Sequence, residues 1–199
     1  MEDRAAERAL IDRARAGDQQ ACRLLVEQHE SVVAATVIGM LGRGDEADDV
    51  GQETFIRFFN SLDRFRGESS VKTYVQRIAI NLALNALKRR RRVASRFRSF
   101  DDDEDPVVVA DPRADALAEH ETREVSEAVH AALDKLPPKH RAVIVLRMID
   151  GRSTRETAEI LRVPEGTVLS RLARAMKQLE THLQPYMRLR DAVSPGAEP

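Results

Sequence analysis

Phe65-Arg66-Gly67-Glu68-Ser69-Ser70-Val71-Lys72-Thr73-Tyr74-Val75-Gln76-Arg77-Ile78-Ala79-Ile80-Asn81-Leu82-Ala83-Leu84-Asn85-Ala86-Leu87-Lys88-Arg89-Arg90-Arg91-Arg92 is the stretch on which the reading turns. A short Gly-containing loop, with an aromatic on each side, leads into a helix that ends in five consecutive basic residues. Val75, Ile78, Ala79, Leu82 and Ala86 recur at helical spacing and make one apolar face. Tyr74, Arg77, Asn81 and Asn85 make another, and all four can meet a base or a phosphate. An aromatic loop backed by a cationic helix suits single-stranded nucleic acid, whose bases stack on rings while phosphates meet Lys and Arg. The same arrangement also fits a buried helix with a solvated basic end.

The formal net charge of the 199-residue chain is −1, which hides a strong pattern. Residues 1–56 carry 6 basic and 12 acidic groups, and residues 57–98 carry 12 and 2. Residues 99–136 then carry 3 and 12, and residues 139–190 carry 11 and 5. Local field, not the total, decides where a polyanion docks. Two basic blocks around an acidic one imply two nucleic-acid contacts held apart. No stretch is expected to reach the length of a membrane span, and Met1-Glu2-Asp3-Arg4 lacks a signal-peptide pattern. Cys22 is the only cysteine, which excludes an internal disulfide and a cysteine-rich zinc site. A lone helical Cys reads as a small buried apolar residue or as a redox sensor. The expected location is the cytoplasm, with no membrane insertion.

The expected fold is all-α, because no segment alternates apolar and polar residues as a half-buried strand does. Helices are expected over about 4–16 and 19–41, the second with Leu24, Leu25, Val32, Val33, Val37 and Leu41 inward. A third, with Asp45 as its N-cap, should run to about Leu62 with Phe55, Phe58 and Phe59 inward. The fourth should start near Ser69 or Ser70. Residues 1–95 form one small helical domain, 96–118 a flexible acidic linker, and 119–190 a second small helical domain. The linker reading rests on Asp101-Asp102-Asp103-Glu104-Asp105-Pro106, which has too little apolar surface to order itself. In the second domain, helices are expected over about 121–136 and 139–148, with Val143, Ile144, Leu146 and Arg147 alternating between core and surface.

Ser153-Thr154-Arg155-Glu156 fits a capping box for a short helix over 154–161, with small Ala158 at its middle. Arg162-Val163 makes a turn, and Pro164 suits a first helical position. A last helix should reach about His182, with Val168, Leu172, Ala175, Met176 and Leu179 inward. Two short helices with a tight turn, the second one basic, make a helix-turn-helix, whose second helix enters the major groove. An ordinary helical hairpin would share the apolar spacing.

Together these motifs resemble the sigma-70 family of bacterial RNA polymerase initiation factors, of the short two-domain extracytoplasmic-function (ECF, group 4) kind. The resemblance covers roughly 24–92 and 133–183. Its signatures are Asp48-Asp49-Val50-Gly51-Gln52-Glu53-Thr54-Phe55, the Phe65 to Ser70 loop, and Arg77-Ile78-Ala79-Ile80-Asn81-Leu82. In the second half they are Leu136-Pro137-Pro138-Lys139-His140-Arg141 and Gly166-Thr167-Val168-Leu169-Ser170-Arg171. The resemblance makes the first domain sigma region 2 and the second sigma region 4. It implies that Asp48, Asp49, Gln52, Glu53 and Phe55 dock on the clamp helices of core RNA polymerase, with the flap as a further contact. The −10 element of promoter DNA would meet Phe65, Arg66, Gly67, Ser69, Ser70, Lys72, Thr73, Tyr74, Arg77, Asn81, Lys88 and Arg91. Unstacking a base costs a few kcal/mol, against about 1–3 kcal/mol of stacking gained, so phosphate contacts tip the balance. The −35 element would meet Thr167, Leu169, Ser170, Arg171, Arg174 and Lys177 as duplex. The acidic linker would lie in the polymerase RNA exit path, and an anti-sigma factor is an implied partner. No enzymatic activity and no cofactor are implied. The chain departs from the family at Gly51, Tyr74, Arg162, Leu169 and Ala173, where bulkier apolar, Trp, Gly, basic and larger residues respectively are usual.

Two other readings are open to the sequence. One is a free-standing helix-turn-helix regulator with a helical sensor or dimerisation domain. The other is a metal-dependent helical enzyme, but His29, His120, His130, His140 and His182 show no ligand spacing.

Overall fold

Asp18 starts the helix that organises the first half. Its Oδ1 accepts from the backbone N–H groups of Gln20 and Ala21 at 2.9 and 3.2 Å, so two amides at the helix start are satisfied. The computed structural model describes residues 2–97 and 117–193, with side chains described over 6–93 and 125–187. Among them run α1 (Glu2–Arg15), α2 (Gln19–Leu41), α3 (Asp45–Asn60) and α4 (Val71–Phe97). The second half holds α5 (Leu117–Asp134), α6 (Pro138–Ile144), α7 (Thr154–Leu161) and α8 (Glu165–Val193). A 3-10 turn covers Leu62–Arg64 and a π turn covers Val145–Ile149. No strand occurs among the described residues, and the all-α expectation holds. The acidic run and most of the expected linker lie outside the described residues.

The long α2 packs against α1, α3 and α4. Its 23 residues are apolar enough, by length and composition, to cross a membrane, which corrects the expectation that no stretch reaches that length. Here that apolar surface is spent on the core: Leu25, Val33, Val37, Met40 and Leu41 are buried against Phe58, Val71, Val75, Ala79 and Ile80. Cys22 is half-buried at the edge of this cluster. Gly42, at φ 80°, ends the helix in a conformation that suits glycine. Gly44 rather than Asp45 is the N-cap of α3, and Asp45 stands in the first turn with Glu46 and Asp48, where acids suit the helix dipole.

The second half departs from expectation at α6. Val143, Ile144, Val145 and Leu146 are all buried rather than alternating. The π turn widens the helix, and both sides of it are covered. Val143 packs with Ala158 and Val168, and Ile144 with Leu133, Leu136 and Ala175. Ala142, Val145 and Leu146 instead join the core of the first half, as does Ile160 of α7. The two halves are thus packed together rather than held apart. In α8, Met176 is 42% exposed where an inward side chain was expected. Pro185 lies inside that helix, which runs past the expected end at His182.

Candidate nucleic-acid interface

The loop from Leu62 to Ser70 is fixed from both ends. Arg15 of α1 reaches across and donates to the Leu62 carbonyl from Nε and Nη2 at 3.1 and 3.0 Å, and to the Phe65 carbonyl from Nη2. Ser70 Oγ accepts from the Thr73 amide at 3.2 Å, so a serine hydroxyl opens α4. Between these anchors Gly67 takes φ 71°, a left-handed turn that favours glycine. Beneath the loop, the rings of Phe65 and Tyr74 pack tilted at 52° with centroids 5.0 Å apart, and Tyr74 Oη bonds Ser61 Oγ at 3.0 Å.

A cleft of about 610 Å³ opens over this pair, walled by Arg64, Arg66, Glu68, Ser69 and Arg77 from the first half. Glu159 and Arg162 of the second half complete the wall. Arg77 Nη2 lies 3.6 Å from Glu159 Oε1. Phe65 is only 8% exposed, so it is the floor of the cleft and not a free-standing stacking platform. Thr73 is a correction: at 5% exposure, with its Oγ1 bonded to Ser70 Oγ, it belongs to the helix start and offers DNA no surface. Asn81, Lys88 and Arg91 extend along the exposed side of α4, and Lys72 is exposed at its start.

In the second half, Ser153 Oγ accepts from the Glu156 amide at 3.1 Å, and the Ser153 amide donates to Glu156 Oε2 at 2.8 Å. These backbone and side-chain bonds to Ser153 hold the Glu156 carboxyl down at about 2. Arg162 ends α7 in the left-handed region at φ 52°. Pro164 then caps α8 through its carbonyl, which accepts from Thr167 and Val168, so it stands one position outside the helix rather than first inside. From α8, Leu169, Ser170, Arg174 and Lys177 are exposed, while Thr167 and Arg171 are half-buried. Val168, Leu172 and Ala175 face the bundle. This is the geometry of a helix-turn-helix with a cationic outer face.

Residues 25–93 match the family Sigma-70 region 2, and residues 126–179 match Sigma-70, region 4. The chain belongs to the sigma-70 family. Sigma factors are transcription-initiation factors and not enzymes. An ECF RNA polymerase sigma-E factor from Haemophilus influenzae is 34% identical over 194 residues, covering 94% of this chain and all of that one. An RNA polymerase sigma-H factor from Pseudomonas aeruginosa is 32% identical over 186 residues, 90% of this chain and 94% of that one. Among solved structures, CnrH in complex with the cytosolic domain of CnrY superposes with a TM-score of 0.63 at 26% identity, covering 90% and 98% of the two chains. The sigma factor RpoE in complex with the anti-sigma factor NepR from Bartonella quintana shares the fold, with a TM-score of 0.62 at 22% identity over 81% and 96% of the chains. A region 2 in the first half removes the alternative of a free-standing regulator with a sensor domain.

On the sigma factor's α3, Asp48, Asp49 and Gln52 are exposed, and Glu53 is half-exposed and paired with Arg57 at 2.7 Å. Phe55 is half-buried against the core. Ile56, 54% exposed beside this acidic strip, is an exposed apolar side chain that the sequence reading did not single out. Its signal was present, since Ile56 falls one residue out of register with Phe55, Phe58 and Phe59. The basic end of α4 is partly spoken for. Burial pushes the Glu46 carboxyl up, but Arg89 and Arg90 bond it and hold it below its ordinary value. Arg89 Nη2 lies 2.7 Å from Glu46 Oε1, and Arg90 also donates to the other carboxylate oxygen. Those two arginines brace α4 on α3, whereas Lys88 and Arg91 are exposed on the helix.

Proposed function

We propose that this sigma factor directs core RNA polymerase to promoters through two separate DNA contacts, and that it acts in the cytoplasm. The cleft over Tyr74 and Phe65 takes an unstacked base of the −10 element, with Arg66, Gly67, Ser69, Ser70, Lys72, Arg77 and Asn81 around it. Lys88 and Arg91 follow the phosphates. The −35 element is read as duplex by the start of α8. There Arg174 and Lys177 meet phosphates or guanine edges, Thr167, Ser170 and Arg171 flank them, and Leu169 offers a thymine-methyl contact. Asp48, Asp49, Gln52 and Glu53, with Ile56 and the edge of Phe55, form the polymerase-docking strip. The domain limits that fit are 1–95 and 119–190. An anti-sigma protein is a partner by analogy with the RpoE–NepR complex.

The observation that carries this reading is an arginine-walled cleft floored by two tilted, packed rings, on the same chain as a helix-turn-helix with an exposed cationic helix. The test is run-off transcription with bacterial core polymerase at fixed salt on promoters with randomised −35 and −10 elements. Specific new transcripts are expected. Loss of one base stack is worth about 1–3 kcal/mol, so Tyr74→Ala should lower promoter melting about tenfold or more while leaving −35 duplex binding intact. No transcripts, with no binding to core, would overturn the reading.

A further inference from the structure

The promoter reading leaves three charged residues of the cleft without a task. Arg64, Glu159 and Arg162 wall it beside Arg66, Arg77 and Glu68, yet none of the three belongs to the −10 or −35 contacts. Four arginines against two glutamates give the wall a net charge of +2. A phosphate monoester carries about −1.5 to −2 near neutral pH, the charge that such a wall neutralises. The cleft volume of about 610 Å³ lies within the range of about 300–1,000 Å³ that small organic ligands occupy. Two further observations point to an anion. Arg77 Nε is buried with no hydrogen-bond partner among the described residues. Its Nη2 stands 3.6 Å from Glu159 Oε1, beyond hydrogen-bond distance. Arg162 keeps a left-handed backbone at φ 52°, a strain of the kind that clusters at ligand sites.

We propose that, in the protein without DNA, this cleft is a binding site for a free nucleoside monophosphate, with guanosine 5′-monophosphate the best fit. The proposal rests on the reading of the cleft as a base pocket given above. A pocket that takes one base and its flanking phosphate from a strand has the chemistry to take the same pieces as a small molecule. The base lies against Tyr74, which is half-buried and packed on Phe65. Arg77 from the first half and Arg162 from the second hold the phosphate, since a guanidinium fork matches phosphate oxygens in pairs. Arg64 and Arg66, both exposed, add to the positive field. Glu68 and Glu159 only accept hydrogen bonds when ionised. Guanine presents two adjacent N–H donors, at N1 and N2, to one carboxylate. Uracil sets its single N–H between two carbonyls, which a carboxylate repels, so the wall prefers guanine. Both occupants use Tyr74 and Arg77, so nucleotide and captured −10 base exclude each other.

The test is isothermal titration of the full chain with guanosine 5′-monophosphate at fixed salt, without core polymerase or DNA. One-to-one saturable binding tighter than about 1 mM is expected, and its absence would overturn the proposal. Arg162→Gly should weaken binding about tenfold or more, the effect of losing one charge-assisted hydrogen bond. The melting temperature of that variant should not fall, so misfolding would not explain the loss. Unchanged affinity in the variant would put any binding elsewhere and sink the site. Uridine 5′-monophosphate should bind about tenfold more weakly, and ribose 5-phosphate, which lacks a base to stack, at least as weakly. Equal affinity for ribose 5-phosphate would reduce the cleft to a phosphate patch, and equal affinity for uridine 5′-monophosphate would remove the guanine preference; either result overturns the assignment. The Tyr74 ring signals in NMR, identified with Tyr186→Phe, should shift during the titration, and a shift confined to Tyr186 would reject the site. Run-off transcription judges the promoter reading separately. Transcripts without nucleotide binding remove this proposal alone, whereas binding without transcripts removes the promoter reading and leaves the nucleotide site standing.

Discussion

Arg162 is the one non-glycine residue among those described with a left-handed backbone, at φ 52°. An L side chain there costs about 1–2 kcal/mol. Arg162→Gly should therefore raise stability by about 1 kcal/mol, which is about 2–4 °C in melting temperature for a chain of this size. Thermal unfolding by circular dichroism checks it. Gly51 presents the opposite case, a glycine inside α3 with nothing within 4 Å of an added Cβ. Gly51→Ala should stabilise by about 0.5–1 kcal/mol, read from the urea midpoint. If it weakens core binding despite that gain, the missing side chain serves the docking strip. The sequence flagged both positions as departures, but only the backbone angles and open space tell strain from slack.

The elements were legible where a cap speaks locally. The expected bounds 19–41 and 154–161 hold for α2 and α7, and the capping box at Ser153 is present. What could not be read were features set by tertiary packing. Thr36 and Gln76 are polar residues on helices and look solvated until a second half covers them. The π turn after α6 leaves no mark in apolar spacing, so four successive buried residues read as an alternating face. Arg15, which orders the cleft loop from 47 residues away, had no local signal at all. Thr73 was misplaced because a capping threonine and a DNA-facing one look alike in sequence. At this scale the prediction concerns α7. Ser153→Ala should cost about 1 kcal/mol and loosen the helix-turn-helix. Its partner Glu156 has its carboxyl held at about 2, below its ordinary 4.5, by the bonds to Ser153. A depressed folded value means that its contribution is present above pH 4.5 and is lost as pH falls towards about 2. Urea unfolding between those pH values should show that slope, and Glu156→Gln should flatten it.

Across the whole molecule, the joint between the two halves holds one buried carboxyl, Asp150, bonded to Thr36 and Gln76. Burial pushes the Asp150 carboxyl above its ordinary value, although Thr36, Arg152, Lys72 and Gln76 all pull it down. A carboxyl with a raised value in the closed form takes up a proton on closing. Closure is thus favoured most below the ordinary carboxylate range and weakens as pH rises through the raised value. His29, also on α2, is pushed down by burial and by Lys72, so its own protonation opposes the buried arrangement as pH falls. Scattering profiles should show a larger radius at higher pH. Asp150→Asn, which copies the protonated form, should keep the small radius throughout; a profile unchanged from the parent would sink this assignment.

Were the buried joint between α2 and the α6–α7 junction to part before DNA or polymerase is bound, it would set how much protein a cell must make. A chain that binds DNA and polymerase only when open has its apparent affinity divided by the reciprocal of its open fraction. If about one molecule in a hundred is open, every promoter behaves as if its affinity were about a hundredfold weaker. Promoters would then be switched on in rank order as the protein accumulates, strong sites first. A change in the open share would scale the apparent affinity of every site by the same factor, so the concentration needed would move for all promoters together while their order stayed the same.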